Sequence, residues 1–173
     1  MSAEDLRSKI REIPDFPKPG ILFYDITTLL KDAAAYKESI DLMLAPYAGE
    51  QIDLVVGMES RGFIFSAPMA YQIDAGLVPV RKLGKLPAET ISVEYALEYG
   101  SNTLEIHRDA IQPGQRVLIV DDLLATGGTV QGTIDLVERL KGEIVGLAFL
   151  VELEFLHGRD RLPDRRVTSV IKY

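Results

Sequence analysis

Short runs of aliphatic residues recur along the chain and predict a sheet that is buried on both faces. Residues 117–120 are Val-Leu-Ile-Val without a polar position, which is the pattern of a central strand in a parallel sheet. Comparable runs predict further strands at residues 53–57, 77–82 and 143–151, and an edge strand at residues 167–171. The chain therefore offers five strands for one sheet.

Apolar residues at helical spacing separate these strands. The pattern predicts helices at residues 33–47, 63–75 and 130–140. A further short helix is predicted at residues 3–13, because Leu6, Ile10 and Ile13 share one helical face. Since strands and helices alternate, we expect an α/β fold: a mostly parallel, twisted, Rossmann-like sheet with helices on both faces.

Two segments fall outside this alternation. Three prolines within residues 14–19 end the first helix, and an extended arm then runs to residue 27, followed by a short turn at residues 28–30. Apolar and polar residues alternate at residues 91–95 and 103–107, which predicts a hairpin. The sequence contains no repeat and no linker, so we expect one domain over residues 1–173.

Composition narrows the class of protein. The chain has 173 residues and is 47% hydrophobic, which suits one globular domain with a substantial core. No stretch reaches the roughly 18 apolar residues of a membrane span, and the acidic N-terminus lacks the features of a signal peptide. Cysteine is absent and the two histidines are far apart, so a zinc enzyme is disfavoured and a cytoplasmic location is expected.

The formal net charge of −7 restricts the possible ligands. It disfavours a nucleic-acid binder, which normally carries a basic face. A polyanionic ligand would need a local positive field inside so acidic a protein, so clustered cations are informative.

Asp121 and Asp122 follow the predicted central strand, where we expect that strand to end. A loop of small residues leads from them into the next helix: Ala125, Thr126, Gly127, Gly128 and Thr129. Backbone N–H groups and the helix dipole would attract a phosphate there, and glycine lets the backbone approach it closely. Because carboxylates accept hydrogen bonds from hydroxyls, the combination predicts a sugar phosphate ligand. The stretch also fits an ordinary strand-to-helix connection with a polar edge.

Cations lie at the ends of two other predicted strands. Ser60 and Arg61 occupy a glycine-bearing turn, Arg81 and Lys82 end the next strand, and Lys85 follows shortly. Ligands of open α/β sheets bind outside the carboxyl ends of the strands, so these groups predict a polyphosphate site. A surface arginine and solvated cations are the alternatives that the residues leave open.

The run Val-Asp-Asp-Leu-Leu-Ala-Thr-Gly-Gly-Thr at residues 120–129 resembles the 5-phosphoribosyl 1-pyrophosphate (PRPP) signature of the type I phosphoribosyltransferases, and specifically that of the adenine phosphoribosyltransferases. The resemblance covers nearly the whole chain. It implies the type I phosphoribosyltransferase fold, with a small N-terminal hood (residues 1–30) and a flexible hairpin lid (residues 83–102). It also implies that adenine and PRPP are converted to AMP and pyrophosphate in purine salvage, with Mg²⁺ bound mainly through PRPP or pyrophosphate, by a homodimer.

The resemblance further implies roles for individual residues. Catalytic roles are implied for Glu98, Arg61 and Lys82. Glu98 lies in residues 97–100, which match the Leu-Glu-Tyr-Gly of the family's catalytic loop, and the two cations match its pyrophosphate contacts. Glu98 alone would also fit an exposed acid at a strand end. PRPP contacts are implied for Ser60, Arg61, Arg81, Lys82, Lys85, Tyr99, Asp121, Asp122, Ala125, Thr126, Gly127, Gly128 and Thr129. Base contacts are implied for Leu22, Tyr24 and Leu123, and no residue is implied as a metal ligand.

Two departures and two alternatives accompany this resemblance. Tyr24 stands where many members have Arg, and Leu83 where Arg or Pro is frequent. One alternative is an enzyme of the same fold acting on another base, such as xanthine, hypoxanthine or orotate. The other is a non-catalytic PRPP-binding regulator, which the acidic charge and the lack of an appended DNA-binding domain disfavour.

Overall fold

Nine strands and five helices make up the computed structural model, which describes residues 1–96 and 100–173. The strands are β1 (Arg11–Ile13), β2 (Phe23–Asp25), β3 (Leu54–Met58), β4 (Gly76–Lys82), β5 (Thr90–Ala96), β6 (Ser101–His107), β7 (Arg116–Leu124), β8 (Glu143–Glu152) and β9 (Val167–Lys172). The helices are α1 (Ala3–Arg7), α2 (Thr27–Leu30), α3 (Ala33–Leu44), α4 (Gly62–Gln72) and α5 (Gly128–Arg139). Short 3-10 turns lie at Ala45–Tyr47, Glu154–Leu156 and Gly158–Arg161.

Seven of the strands form one sheet in the order β5-β6-β4-β3-β7-β8-β9. The five strands from β4 to β9 in this order are parallel, and the β5–β6 hairpin adds two antiparallel strands beyond β4. The predicted mostly parallel sheet is confirmed, and so is the edge position of β9.

Both faces of the central strands are buried, as their continuous apolar runs predict. Leu118 and Val120 of β7 pack with α3 and α4 in one core, whereas Val117 and Ile119 pack with α5 in a second core on the opposite face. Successive residues of a strand point to opposite faces, so each apolar pair contributes to both cores. Helices therefore cover both faces of the sheet.

The N-terminal segment differs from the prediction of a helix over residues 3–13. Helix α1 ends at Arg7, and the chain continues into β1, which pairs antiparallel with β2. Arg11 donates from Nη2 to Asp25 Oδ2 at 2.6 Å across this ladder. Pairing with residues more than ten positions along the chain therefore makes residues 11–13 a strand, although their apolar spacing is that of a helix. The turn predicted at residues 28–30 is helix α2.

Strand β7 runs further than predicted. It passes through the two aspartates to Leu124 because β8 continues to pair with it, Asp121 opposite Phe149 and Leu123 opposite Val151. The acidic pair thus lies within the strand rather than beyond its end. The extra length brings Asp122 and Leu123 to the carboxyl edge of the sheet.

The predicted hairpin is present as β5 and β6, which pair from Thr90 opposite His107 to Ala96 opposite Ser101. The hairpin packs closely on α5: a Cβ built on Gly132 would lie 3.3 Å from Val93 Cγ1.

In the part of the chain that the structure describes, no helix has both the length and the apolar character of a membrane span.

Candidate active site

Two adjoining cavities open at the carboxyl ends of β3, β4 and β7. The first, of about 290 Å³, is lined by polar side chains and by the glycine loop. The second, of about 180 Å³, lies under the N-terminal arm and is lined mainly by apolar side chains. Arg61, Asp122 and Leu123 line both cavities. A ligand with a charged part and an apolar part could therefore occupy both at once.

The glycine loop forms the N-terminus of α5. Gly127 caps this helix with φ +86°, a left-handed conformation that glycine adopts without strain. Residues 125–129 all line the first cavity, as the motif predicts for a phosphate cradle. The helix dipole and free N–H groups at this terminus favour an anion.

The loop is also held by the turn at Gly158–Arg161, a contact that the sequence does not indicate. A Cβ on Gly127 would lie 2.7 Å from the carbonyl oxygen of Gly158, and a Cβ on Gly158 would clash with the carbonyl oxygen of Ala125. Gly128 is less constrained, because the nearest atom to its Cβ would be Tyr95 Cδ2 at 3.4 Å. The packing against Gly158 therefore requires a glycine at position 127, whereas the packing around Gly128 does not account for its glycine in the same way.

Asp121 is an unusual carboxyl group. Its Oδ1 accepts a hydrogen bond from the backbone N–H of Asp122 at 2.9 Å. The first turn of α4 lies against it, since a Cβ on Gly62 would be 2.8 Å from the same oxygen. Burial, and next the negative charge of Asp122, raise the pKa of Asp121 well above its ordinary value. A ligand whose hydroxyl groups donate hydrogen bonds to this carboxylate would stabilise its charged form.

Asp122 is joined to Arg61. The Arg61 Nε donates to Asp122 Oδ2 at 2.6 Å, and the carboxylate side chain is only 9% exposed. The Arg61 guanidinium also lies 5.8 Å from the centre of the Phe23 ring in the arm. This pair forms the boundary between the two cavities.

The two cationic residues at the end of β4 are bridged by Glu59, a residue that the sequence pattern does not single out. Its Oε1 accepts from Arg81 Nη2 at 3.0 Å, and its Oε2 accepts from the backbone N–H of Lys82 at 2.8 Å. These contacts, first the Lys82 N–H and then Arg81, lower the pKa of Glu59. Lys82 lines the first cavity, whereas Ser60, Arg81 and Lys85 lie at the same edge outside its lining. Lining a cavity does not test ligand contact, so the PRPP contacts of all these residues stay predictions.

The apolar cavity contains all three residues predicted to contact a base. Leu22, Tyr24 and Leu123 line it. The Tyr24 ring, which replaces the Arg of many relatives, stacks on Tyr173 at a centroid distance of 3.9 Å. The departure from the family pattern therefore introduces an aromatic contact that residue spacing does not reveal.

Other lining residues come from segments without a local signal. Tyr95 and Asn102, on the two strands of the hairpin, line the first cavity. Arg161 lies beside the glycine loop, with Nη1 at 3.7 Å from a Cβ built on Gly128. Glu98 and Tyr99 fall outside those residues, so their predicted roles stay predictions.

Comparisons with known proteins identify the family. A sequence model of the phosphoribosyl transferase domain matches residues 24–172. The chain belongs to the phosphoribosyltransferase family, as the motif at residues 120–129 indicated.

Similar proteins are named more narrowly. The adenine phosphoribosyltransferase of Acidobacterium capsulatum is 61% identical, over 100% of this chain and 96% of that protein. The crystal structure of adenine phosphoribosyltransferase from Thermoanaerobacter pseudethanolicus has a TM-score of 0.96 and 54% identity, covering 99% of this chain and 100% of that one. The Saccharomyces cerevisiae enzyme, solved with an imino-altritol bisphosphate and adenine, has a TM-score of 0.92 and 38% identity, covering 97% of each chain. The resemblance to adenine phosphoribosyltransferases is confirmed.

Proposed function

We propose that this protein transfers the 5-phosphoribosyl group of PRPP to adenine and releases AMP and pyrophosphate, a purine salvage reaction. The observation that carries the proposal is the junction of a polar, glycine-lined cavity with an apolar cavity across Arg61, Asp122 and Leu123. A phosphorylated sugar suits the first and a flat heterocycle the second. The names of the similar proteins support adenine as the base.

The geometry suggests how the two substrates are held. The 5′-phosphate of PRPP would bind the N–H groups at the start of α5. Asp121 and Asp122 would accept hydrogen bonds from the ribose hydroxyls, which places the anomeric carbon near the boundary of the cavities. Adenine would lie between Leu22 and Leu123, facing that carbon from the apolar side.

The reaction forms a bond between a ring nitrogen of adenine and the anomeric carbon, while the bond from that carbon to pyrophosphate breaks. By analogy with glycoside chemistry, positive charge develops on the sugar and negative charge on the leaving group. Lys82 and Arg61 line the cavity in which the leaving group would lie, and their charges would stabilise it. Adenine loses a ring proton in the same reaction, and Glu98 is the residue that we propose as its acceptor.

We also propose that Mg²⁺ binds mainly through the phosphate oxygens of PRPP and pyrophosphate. Mg²⁺ is commonly held by one or two carboxylates together with substrate phosphates, and Asp121 and Asp122 line the cavity that would contain them. The ion would supply positive charge next to the leaving group. Activity should be lost with EDTA and restored by excess Mg²⁺, with no change in the thermal unfolding of the protein without substrate.

We propose that the protein is a homodimer and works in the cytoplasm, where its charged substrate is retained. Large apolar side chains are exposed on α4 (Tyr71, 87%), on β4 (Leu77, 45%) and just after β4 (Leu83, 63%). Light scattering after size exclusion should give twice the chain mass. Leu77→Glu should yield monomers, whereas the control Phe155→Glu, at another exposed apolar position, should stay dimeric. Subcellular fractionation tests the location.

A panel of bases tests the reaction itself. Adenine, hypoxanthine, xanthine and orotate would each be supplied with PRPP and Mg²⁺, and pyrophosphate release measured. Release with adenine alone is expected. Release with another base instead would indicate a different enzyme of the same fold, and release with none, together with tight PRPP binding, would indicate a regulator.

A further inference from the structure

The arm that covers the apolar cavity is held by buried residues such as Ile26 and, at β2 itself, by a stack of three side chains from distant parts of the chain. Tyr24 of β2 stacks on Tyr173, with ring centroids 3.9 Å apart and an interplanar angle of 30°. The Arg7 guanidinium of α1 lies 4.3 Å from the centre of the Tyr173 ring. We call these residues the Arg7–Tyr173–Tyr24 stack.

The position of β2 depends on such side-chain contacts. Strands β1 and β2 pair only with each other and form a two-stranded sheet separate from the seven-stranded one. Within residues 1–96 and 100–173, no ladder hydrogen bonds therefore join the arm to the main sheet. Tyr173, in contrast, is tied to the main sheet, because its backbone N–H donates to the Glu152 carbonyl oxygen at 3.0 Å.

The arm supplies much of the lining of the apolar cavity. Residues 21–24 all contribute to it, opposite Leu123 and Leu153. A shift of β2 would change the width of this cavity and leave the glycine loop unchanged, because that loop is held by the turn at Gly158–Arg161.

We propose that Tyr173 is a positioning residue for the base: by stacking on Tyr24 it holds β2 at the distance from Leu123 that adenine requires. The proposal rests on the proposed function, since it concerns the base that the apolar cavity accepts. Tyr173 does not line that cavity and acts only through Tyr24.

The stack sets the size of the expected effect. Beyond its buried area, an aromatic pair changes an equilibrium constant by about 2- to 12-fold. Tyr173→Ala should therefore raise the KM for adenine about 2- to 12-fold. The KM for PRPP should change less than the KM for adenine, because the glycine loop is anchored by the turn at Gly158–Arg161.

Matched variants separate stacking from other roles. Tyr173→Phe keeps the ring and should behave like the parent. Arg7→Met should raise the KM for adenine by a smaller factor. Arg166→Met is the control for Arg7→Met, because the Arg166 guanidinium lies 4.8 Å from the centre of the Tyr47 ring, away from both cavities. This control variant should leave the KM for adenine and the KM for PRPP unchanged.

Hydrogen exchange gives a second measurement that does not require activity. In Tyr173→Ala, the backbone amides of Phe23, Tyr24 and Asp25 should exchange faster than in the parent, while those of β7 stay protected. If the parent converts no adenine, the proposed function is wrong, and the exchange result still decides whether the stack holds β2. Unchanged exchange in β2, or equal increases in the KM for adenine and for PRPP, would overturn the proposal.

Discussion

Replacing Asp121 by Asn should make the protein more stable and less active. Asn has the same shape, and its Oδ1 can still accept the hydrogen bond from the Asp122 N–H. The substitution removes a negative charge that burial and Asp122 disfavour, as the raised pKa of Asp121 indicates. It also removes a charged acceptor for the ribose hydroxyls.

The sign of the stability effect follows from the direction of the pKa shift. The unfolded chain loses the Asp121 proton near the ordinary value of 3.8, whereas the folded chain retains it to higher pH. Unfolding therefore releases a proton in that window, and the parent loses stability as pH rises from 3.8 to the raised pKa. Asn does not titrate, so the difference in Tm between variant and parent should be small near pH 4 and should grow toward neutral pH.

Both effects have a measurable size. Each kcal/mol relieved raises Tm by about 2–4 °C in a chain of this length. A lost charged hydrogen bond costs about 1.5–3 kcal/mol, which lowers kcat/KM by about 10- to 100-fold.

Thermal unfolding at pH 4, 6 and 8, with kinetics at neutral pH, tests both parts. Asp109→Asn is the control, because Asp109 is exposed and distant from the cavities. A variant less stable than the parent at pH 8 would refute the electrostatic argument, and an unchanged kcat/KM would remove Asp121 from the ribose site.

Three further predictions concern the loop and the hairpin. Gly128→Val should abolish PRPP binding in calorimetry with little loss of Tm. Gly127→Val should unfold at a clearly lower temperature, because its Cβ would lie 2.7 Å from a carbonyl oxygen and its φ is +86°. Equal Tm values for the two variants would contradict this prediction. Arg161→Ala should raise the KM for PRPP several-fold through loss of a cation beside the loop, and Arg161→Lys should largely restore it; an unchanged KM in the Ala variant would exclude that role. Glu98→Gln should bind PRPP normally but lose about 10²–10⁴-fold in kcat if Glu98 accepts the proton, while Glu94→Gln changes little; small, equal losses would leave Glu98 a surface acid.

Local sequence was sufficient for the architecture and for the chemistry of the loop. Apolar runs such as residues 117–120 can be buried on both faces only in the interior of a sheet, so they predict its central strands. Gly127 and Gly128 beside two acids similarly indicate a phosphate cradle, because the conformational freedom of glycine and the acceptor capacity of a carboxylate belong to the residues themselves.

The tertiary structure decided what depends on partners far apart in the chain. Residues 11–13 have the spacing of a helix but form a strand, since β2 offers them a ladder and Asp25 an ion pair. The contact of Arg161 with the glycine loop and of Tyr173 with Tyr24 likewise joins segments that are more than thirty residues apart in sequence. Spacing along a chain encodes periodicity and local chemistry, but these contacts arise only when the packed sheet brings the segments together.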